Sequence, residues 1–510
     1  MPSCAQRTAS PSRSVRSIAE TAAARSRARV MVGLRPCGAG LGGSARHVQA
    51  ILRPRRAGGA CAAAGLESRP ERKGGVMAEA QRAGPLAGTR VLEFSQIIAA
   101  PLAGMLLADM GADVVKVESP NGDRTRRSGS IAPGTSKRFQ WLNRGKRSLV
   151  LDLERPEARE LVYERLLPRF DVVMNNFRLH VARSLGIDYE TIAAHRPDVI
   201  YARITGFGAS GPLADDPAID LIVQAYSGMM ADEGRLDAEG TPIGTQSMWV
   251  ADLIAGVGTA LGVVGAVHHH ERTGEGQLVD ASLLRGAMAA IGSSVMREPV
   301  SDAVFSMPAF ERVQALIEDG ASFAEVTGAW ADGSPLRQLG AVRRLYQSVY
   351  MAKDGPLVLG ATSPGHREAI RGVLGTRDEG GDDPDFDPLD PRMLAEIEEL
   401  RKELAALIRA RTVAEWVEEF RAAGAPVAPM HFSPQLADDP QAAPLLAEID
   451  DPITGEQEQL ASLFEMSATP VRAAGPAPPL GRHGAEVLRE AGLSDAEIEA
   501  LRACGAVGSP

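Results

Sequence analysis

The sequence predicts an α/β fold built on a parallel β-sheet, and three observations carry this expectation. First, between residues 89 and 208 short segments rich in Val, Ile and Leu alternate with helical stretches. Strand–helix alternation builds parallel sheets with helices on their faces. Second, the opening unit of strand (89–94), helix (101–113) and strand (114–118) has the ~30-residue length usual for a βαβ unit. Third, 510 residues exceed what one hydrophobic core organises, so a smaller α+β domain is expected beside the large one.

TRVLEF (89–94) is the first strand and VVKVE (114–118) the second. Glu118 ends the second strand, where a dinucleotide enzyme places its ribose-binding acid. The intervening loop, SQIIAAP (95–101), has no glycine. A pyrophosphate cannot approach that backbone as it does in dinucleotide-binding loops. The expectation is a Rossmann-like topology without NAD. NGDRTRRSG (121–129) is a basic loop, read as either a solvated surface or a phosphate contact. Further strands follow at 147–153, 171–177 and 198–208, separated by helices at 156–167 and 179–187. Ligands in such sheets bind outside the carboxyl ends of the strands.

Beyond residue 284 the pattern loosens. TGAWADGSPLRQLG (327–340) reads as a linker, 350–361 as a hairpin and 393–410 as an amphipathic helix. Thr412 with Glu415, and Ser494 with Glu497, are capping boxes that open two more helices. The acidic tract 378–390 is no calcium loop, because Pro388 stands where the sharp turn requires glycine.

Composition narrows the function. Hydrophobic content of 44% and charged content of 24% are those of a soluble globular protein. The net charge of −10 argues against a nucleic-acid partner but hides an asymmetry. Residues 1–76 hold 13 Arg and one Lys against three Glu, a net of +11. Three of the four cysteines lie in this segment, so neither a disulfide framework nor a metal-ligand spacing results. A reducing, cytoplasmic setting follows. The leader suits either a mitochondrial transit peptide or translated sequence ahead of a start at Met77, and the second is favoured. Residues 1–84 are expected to take no part in the fold. Consecutive His268, His269 and His270 point in three directions around a helix, so no metal site is expected.

The stretch 241–284 is the centre of the chain. After Asp252 the next 15 residues, 253–267, carry no polar group except Thr259. The apolar run 249–267 is long enough to span a membrane. It contains Asp252 and lacks a basic flank, so it reads as a buried core helix that packs closely through small side chains. Asp252 stands in its first turn, facing the positive end of the helix dipole. That placement is expected to keep the carboxylate ionised, hence nucleophilic toward an activated acyl group. The competing reading is an N-terminal cap. Asp220, a second acid entering an apolar segment, has the same alternative.

Six segments then carry a resemblance: 86–123, 143–153, 171–190, 201–212, 220–228 and 251–277, with closing motifs AAGAPVAPMH (422–431) and PPLGRHGAEVL (478–488). Together they resemble the family III coenzyme A transferases. The resemblance implies a Rossmann-like large domain at 85–290, a linker at 291–340, a small domain at 341–435 and a returning C-terminal segment at 436–510. It also implies an interlocked homodimer. Acyl-CoA and a carboxylic acid are the implied substrates, with no tightly bound cofactor and no membrane partner. It places the catalytic aspartate at Asp252, working through an aspartyl anhydride and an aspartyl-CoA thioester. CoA contacts fall on Gln96, Ile97, Ile98 and Ala99, on Leu151 and Asp152, on Asn176 and Phe177, and on Arg178 and Arg183. Ile219 and Asp220 line the acyl pocket. The family commonly has Arg-Pro-Gly after Phe177; here it is Arg178-Leu179-His180, and Arg183 is one place early.

The related α-methylacyl-CoA racemases add a histidine just before the aspartate that aligns with Asp220. Two acid/base groups are needed to move a proton between the faces of one carbon. Here that place is Ile219, which favours transferase over racemase. A non-catalytic acyl-CoA binder is the remaining alternative.

Overall fold

The structure, a computed structural model, describes residues 84–333, 340–381, 383, 386–387 and 390–508. The basic leader up to residue 83, the end of the expected linker and parts of the acidic tract lie outside the described residues.

In chain order the first half comprises β1 (Arg90–Phe94), α1 (Ala99–Asp109), β2 (Asp113–Glu118), α2 (Lys137–Asn143), β3 (Arg147–Val150) and α3 (Pro156–Leu161). β4 (Val172–Asn175), α4 (Leu179–Ser184), α5 (Tyr189–His195), β5 (Ile200–Thr205), α6 (Asp220–Ser227) and α7 (Met229–Glu233) follow. α8 (Val250–Thr273), β6 (Gln277–Ser282) and α9 (Leu283–Ala290) complete it. The six strands pair in parallel in the order β3-β2-β1-β4-β5-β6. β1 therefore lies between β2 and β4, and the strand order reverses there. The loops after β1 and β4 part at this point and leave a crevice.

Both faces of the sheet are covered, which is why its strands read as nearly continuous apolar runs. Val91 faces the core shared with α1, α8 and α9, while Leu92 and Phe94 face the opposite core. α8 follows the expected helix closely. Its small residues let it touch its neighbours: a Cβ on Gly256 would lie 2.7 Å from the Ala99 carbonyl oxygen. A Cβ on Gly286 of α9 would lie 2.6 Å from the Ala251 oxygen. α8 packs against the core through one face, while Val257 and Leu261 on the other are exposed, so the expected core helix is buried on one side only.

The stretch expected as a linker is largely helical. α10 (Met307–Glu318) and α11 (Phe323–Gly333) pack through Val313, Val326 and Ala329. The signal was present but outweighed by the Gly/Ser/Pro cluster after residue 331. Ser322 and Glu325 make a reciprocal cap, with the Ser322 N–H donating to Glu325 Oε2 at 2.8 Å and the Glu325 N–H to Ser322 Oγ at 3.3 Å.

α12 (Ala341–Tyr346), β7 (Gln347–Met351), β8 (Pro356–Gly360), α13 (Pro364–Leu374), α14 (Pro391–Ile408), α15 (Val413–Ala422) and β9 (Val427–Pro429) come next. They surround a core of their own, with an antiparallel β7-β8-β9 sheet. Both capping boxes form as expected. A hairpin of β10 (Leu446–Asp451) and β11 (Gly455–Leu460) precedes α16 (Gly484–Glu490) and α17 (Asp495–Ala503). The last two helices return to the large sheet. Val487, Leu488 and Ile498 join the core beneath Leu92, and the Asp152 N–H donates to the Ala506 carbonyl at 3.0 Å.

Candidate active site

A cleft of about 450 Å³ opens at the carboxyl ends of β1, β4 and β5. Asp252 lines it, together with Ile97, Ile98, Ala99, Asn176, Phe177, Arg178, Ile219 and Asp220. Nine of the sequence-assigned residues therefore meet here. Gln96, Leu151 and Asp152 line an adjoining cleft of about 320 Å³, which Phe177 shares. Arg183 is the exception. It lies in a shallow surface crease with Asp188, Glu190 and Arg203, outside both clefts.

Asp252 is only 9% exposed. It is not the cap of its own helix. The first N–H groups of α8 are taken instead by Asp220, whose Oδ1 accepts from Ala251 at 2.7 Å and from Asp252 at 3.2 Å. Oδ2 of Asp220 accepts from the Gln224 amide, and Gln224 is held in turn by Thr245 at 2.9 and 3.0 Å. Asp220 is thus a cap delivered from another helix, and both of its oxygens are engaged.

Asp252 stands at the helix N-terminus without being simply ionised, which corrects the sequence expectation. Burial is the largest cause, and the neighbouring Asp220 carboxylate adds to it. Together they push the Asp252 carboxyl up to about 7, against a smaller opposing effect from the Ala99 backbone amide. Desolvation disfavours charge more than the dipole favours it, because Asp220 already occupies the free amides.

The loop after β1 is shaped by backbone strain. Ile97 has φ +74°, the one non-glycine residue with positive φ among the described residues. A β-branched side chain is costly in that region and persists only where its surroundings hold it. Asn176 clamps one side: its Oδ1 accepts from the Gln96 N–H at 2.9 Å and its Nδ2 donates to the Gln96 carbonyl at 2.7 Å. This joins the loops after β1 and β4 across the crevice.

A buried charge cluster holds the other side. Glu93, Lys116, Asp123 and Lys146 have fully buried side chains. Glu93 and Lys116 are partners in the β1–β2 register. Lys116 Nζ donates to the Ser95 carbonyl at 2.9 Å, and Lys146 Nζ to the Pro101 carbonyl at 2.8 Å. The Ile97 N–H reaches Asp123 Oδ1 at 3.4 Å. Burial alone would depress the Lys116 ammonium, but Asp123, Glu93 and Glu118 outweigh it and hold it above its ordinary value. Lys146 is driven the other way, down to about 8, by burial, with Lys116 nearby offsetting part of the help from Glu93. Glycine is required beneath this cluster, since a Cβ on Gly104 would lie 1.8 Å from Glu93 Oε2.

Two other candidates are spent on structure. Glu118 accepts two 2.7 Å bonds from Arg126, and the Arg126 guanidinium lies 3.7 Å above the Phe139 ring. Glu118 borders the second cleft, but Arg126 is buried against it and lines neither cleft, so Arg126 does not serve the phosphate contact considered for the basic loop. Sequence reasoning missed Arg138 and Trp249, which line the main cleft and stack at 4.3 Å. Nothing in the spacing of two such distant residues signals their contact.

Gly256→Ala tests how closely this site depends on helix packing. The new methyl meets the Ala99 carbonyl, a backbone atom that cannot yield, so α8 and Asp252 must shift. We expect kcat/KM to fall roughly 100-fold, with a stability loss of about 1–3 kcal/mol. Kinetics and thermal unfolding on one preparation check this, and unchanged turnover would mean that the helix contact is irrelevant to the site.

The chain is similar along most of its length to known CoA-transferases. The succinyl-CoA:mesaconate CoA-transferase of Haloarcula hispanica is 35% identical over 427 residues, covering 80% of this chain and 97% of the relative. The succinate–glutarate CoA-transferase of Agrobacterium fabrum is 32% identical, covering 80% of this chain and 95% of the relative. Among solved structures, Rv3272 from Mycobacterium tuberculosis superposes with a TM-score of 0.61 at 27% identity, covering 79% of this chain and 99% of that one. A family model described as CoA-transferase family III matches residues 86–484. The chain therefore belongs to CoA-transferase family III, enzymes that move coenzyme A between acyl-CoA thioesters and carboxylates.

Proposed function

We propose that Asp252 is the nucleophile that carries the acyl group and then CoA. The observation that supports this is a buried carboxylate, freed from capping by Asp220, in the cleft at the crevice. A desolvated carboxylate oxygen attacks the thioester carbonyl carbon of the donor and expels CoA thiolate, leaving a mixed anhydride on Asp252. The thiolate attacks the aspartyl carbonyl of that anhydride, releasing the donor acid and leaving an aspartyl-CoA thioester. The acceptor carboxylate attacks this thioester, re-forming an anhydride and releasing thiolate. Thiolate attack on the acceptor carbonyl then yields the new acyl-CoA and restores Asp252.

In this reading the adenine nucleotide of CoA occupies the cleft at Gln96, Leu151 and Asp152, and Phe177 marks the passage to Asp252. Arg178 stands at the mouth of the main cleft, and Arg183 takes no part in the arrangement. The relatives named above act on succinyl, mesaconate and glutarate groups, so short dicarboxylic acids are the proposed substrate class. A cytoplasmic setting is consistent with such acids as substrates.

A second copy of the chain is the proposed partner. Val257 and Leu261 on α8, Met288 on α9, and Met296, Val300, Val304, Met307 and Phe310 beyond it are all exposed. An interlocked homodimer would cover these apolar side chains, and large exposed apolar surface is a mark of an interface.

Racemisation is disfavoured because, among the described residues, no histidine lines the main cleft and both oxygens of Asp220 are engaged. The test has two arms. Incubation with succinyl-CoA followed by hydroxylamine should convert Asp252 to its hydroxamate, detected by peptide mass spectrometry. A 2-methylacyl-CoA in D₂O should gain no α-deuterium. Rapid deuterium uptake without transfer to any acid would move the assignment to a racemase, and an unmodified Asp252 with acyl-CoA bound would leave a binder.

A further inference from the structure

Arg138 is an unexplained cation in the main cleft. It lies in the first turn of α2, which Ser136 caps by accepting from the Phe139 N–H at 3.1 Å. Phe139 points into the core, whereas Arg138 is half-buried and faces the cleft that Asp252 lines. Its guanidinium lies 4.3 Å above the ring of Trp249, the residue immediately before α8. Among the described residues no carboxylate or carbonyl pairs with it, although most arginines close to the sheet are committed. Arg126 is bound to Glu118, Arg144 to Asp109 and Arg147 to Asp113.

We propose that Arg138, stacked on Trp249 and without an acid partner, receives the distal carboxylate of a dicarboxylic acyl group while the proximal carbonyl lies at Asp252. This rests on the transferase reading and deepens it by naming the residue that selects the acid. Stacking on an indole fixes the plane of the guanidinium and leaves its N–H edge open, the geometry for a two-point bond to a carboxylate. Charge requires such a group. Asp216, Asp220 and Asp252 line the same cleft, and a dianionic acid entering a half-buried space among them needs a compensating cation. The other cation there is Arg178. It is exposed, at the residue before α4, whereas Arg138 is half-buried and held on Trp249, so Arg138 is the better-fixed and less solvated cation of the two.

The test compares glutarate with its monomethyl ester as CoA acceptors, in wild type, Arg138→Met, Arg138→Gln and Arg138→Lys. The ratio between acceptors, taken with one donor, cancels any effect on the donor half-reaction, and both acetyl-CoA and succinyl-CoA are used. Wild type should prefer the diacid by a factor on the order of 100, the scale of a charge-assisted two-point contact. In Arg138→Met and Arg138→Gln the preference should collapse toward one through the acceptor KM. Arg138→Lys should keep part of it, and transfer to the monoester should change far less. Equal losses with both acceptors, or a wild type without preference, would overturn the assignment. A wild type that transfers CoA to no acid at all would instead overturn the transferase reading beneath it.

Discussion

Asp252→Ala and Asp252→Asn are expected to lose CoA transfer by a factor on the order of 10⁴ or more. Neither side chain has an oxygen able to form the anhydride, and the rest of the cleft supplies only binding. Both variants should nevertheless fold, and at neutral pH they should be more stable than wild type. The folded chain keeps a proton on Asp252 up to about 7, whereas an unfolded aspartate loses it near 3.8. Between those values the native state binds more protons than the unfolded state, so stability falls as pH rises. The carboxyl's contribution is complete below the unfolded value and is lost as pH climbs through the folded one. Removing it should therefore stabilise the protein by roughly 2–4 kcal/mol above pH 7 and by little near pH 4. Thermal unfolding at several pH values reads this directly. The same proton sets the rate, because only the ionised form attacks, so wild-type kcat/KM should rise with pH through about 7. Near-wild-type turnover in either variant would end the assignment, and variants less stable than wild type at pH 8 would contradict the account of burial.

Lys116→Met is expected to have the largest effect on stability. It leaves buried Glu93 with Lys146 as its remaining ion partner, removes the ion partner of buried Asp123, and frees the Ser95 carbonyl. Removing one partner of a buried ion cluster costs about 3–5 kcal/mol, because the remaining charge stays desolvated and uncompensated. The loop of Ile97 loses one of its supports, so the KM for acyl-CoA should rise in whatever folded enzyme remains. Combining Lys116→Met with Glu93→Gln should cost less than the two single changes added together, since the double variant no longer strands a charge. Additive costs would show that the cluster does not act as a unit.

Much of this protein was readable from its amino acids. Period and composition placed the strands of the sheet, the long small-residue helix behind Asp252 and both capping boxes, since each depends on neighbours within a few residues. The ordered segments between residues 86 and 277 carried the family. The stretch 327–340 reads as a linker from its Gly and Pro residues, whereas up to Gly333 it continues a helix that the Ser322–Glu325 cap opens.

What only the tertiary structure decided has a common cause: each case depends on groups far apart in sequence. The sequence put Asp252 at a helix N-terminus and predicted an ionised acid. The fold brought Asp220 from another helix to take the amides and buried the carboxyl beside it, and burial moves a proton equilibrium further than a helix dipole does. Glu93 and Lys116 stand in different strands, and only the register makes them partners. Ile97 keeps its left-handed backbone in a loop held by Asp123 at its own N–H and by Asn176 at Gln96, and Arg138 met Trp249 only through packing. Local sequence determines which elements form, because propensity and periodicity act over a few residues. The state of a buried charge depends on every dipole and ion around it, and those are assembled only by the complete fold.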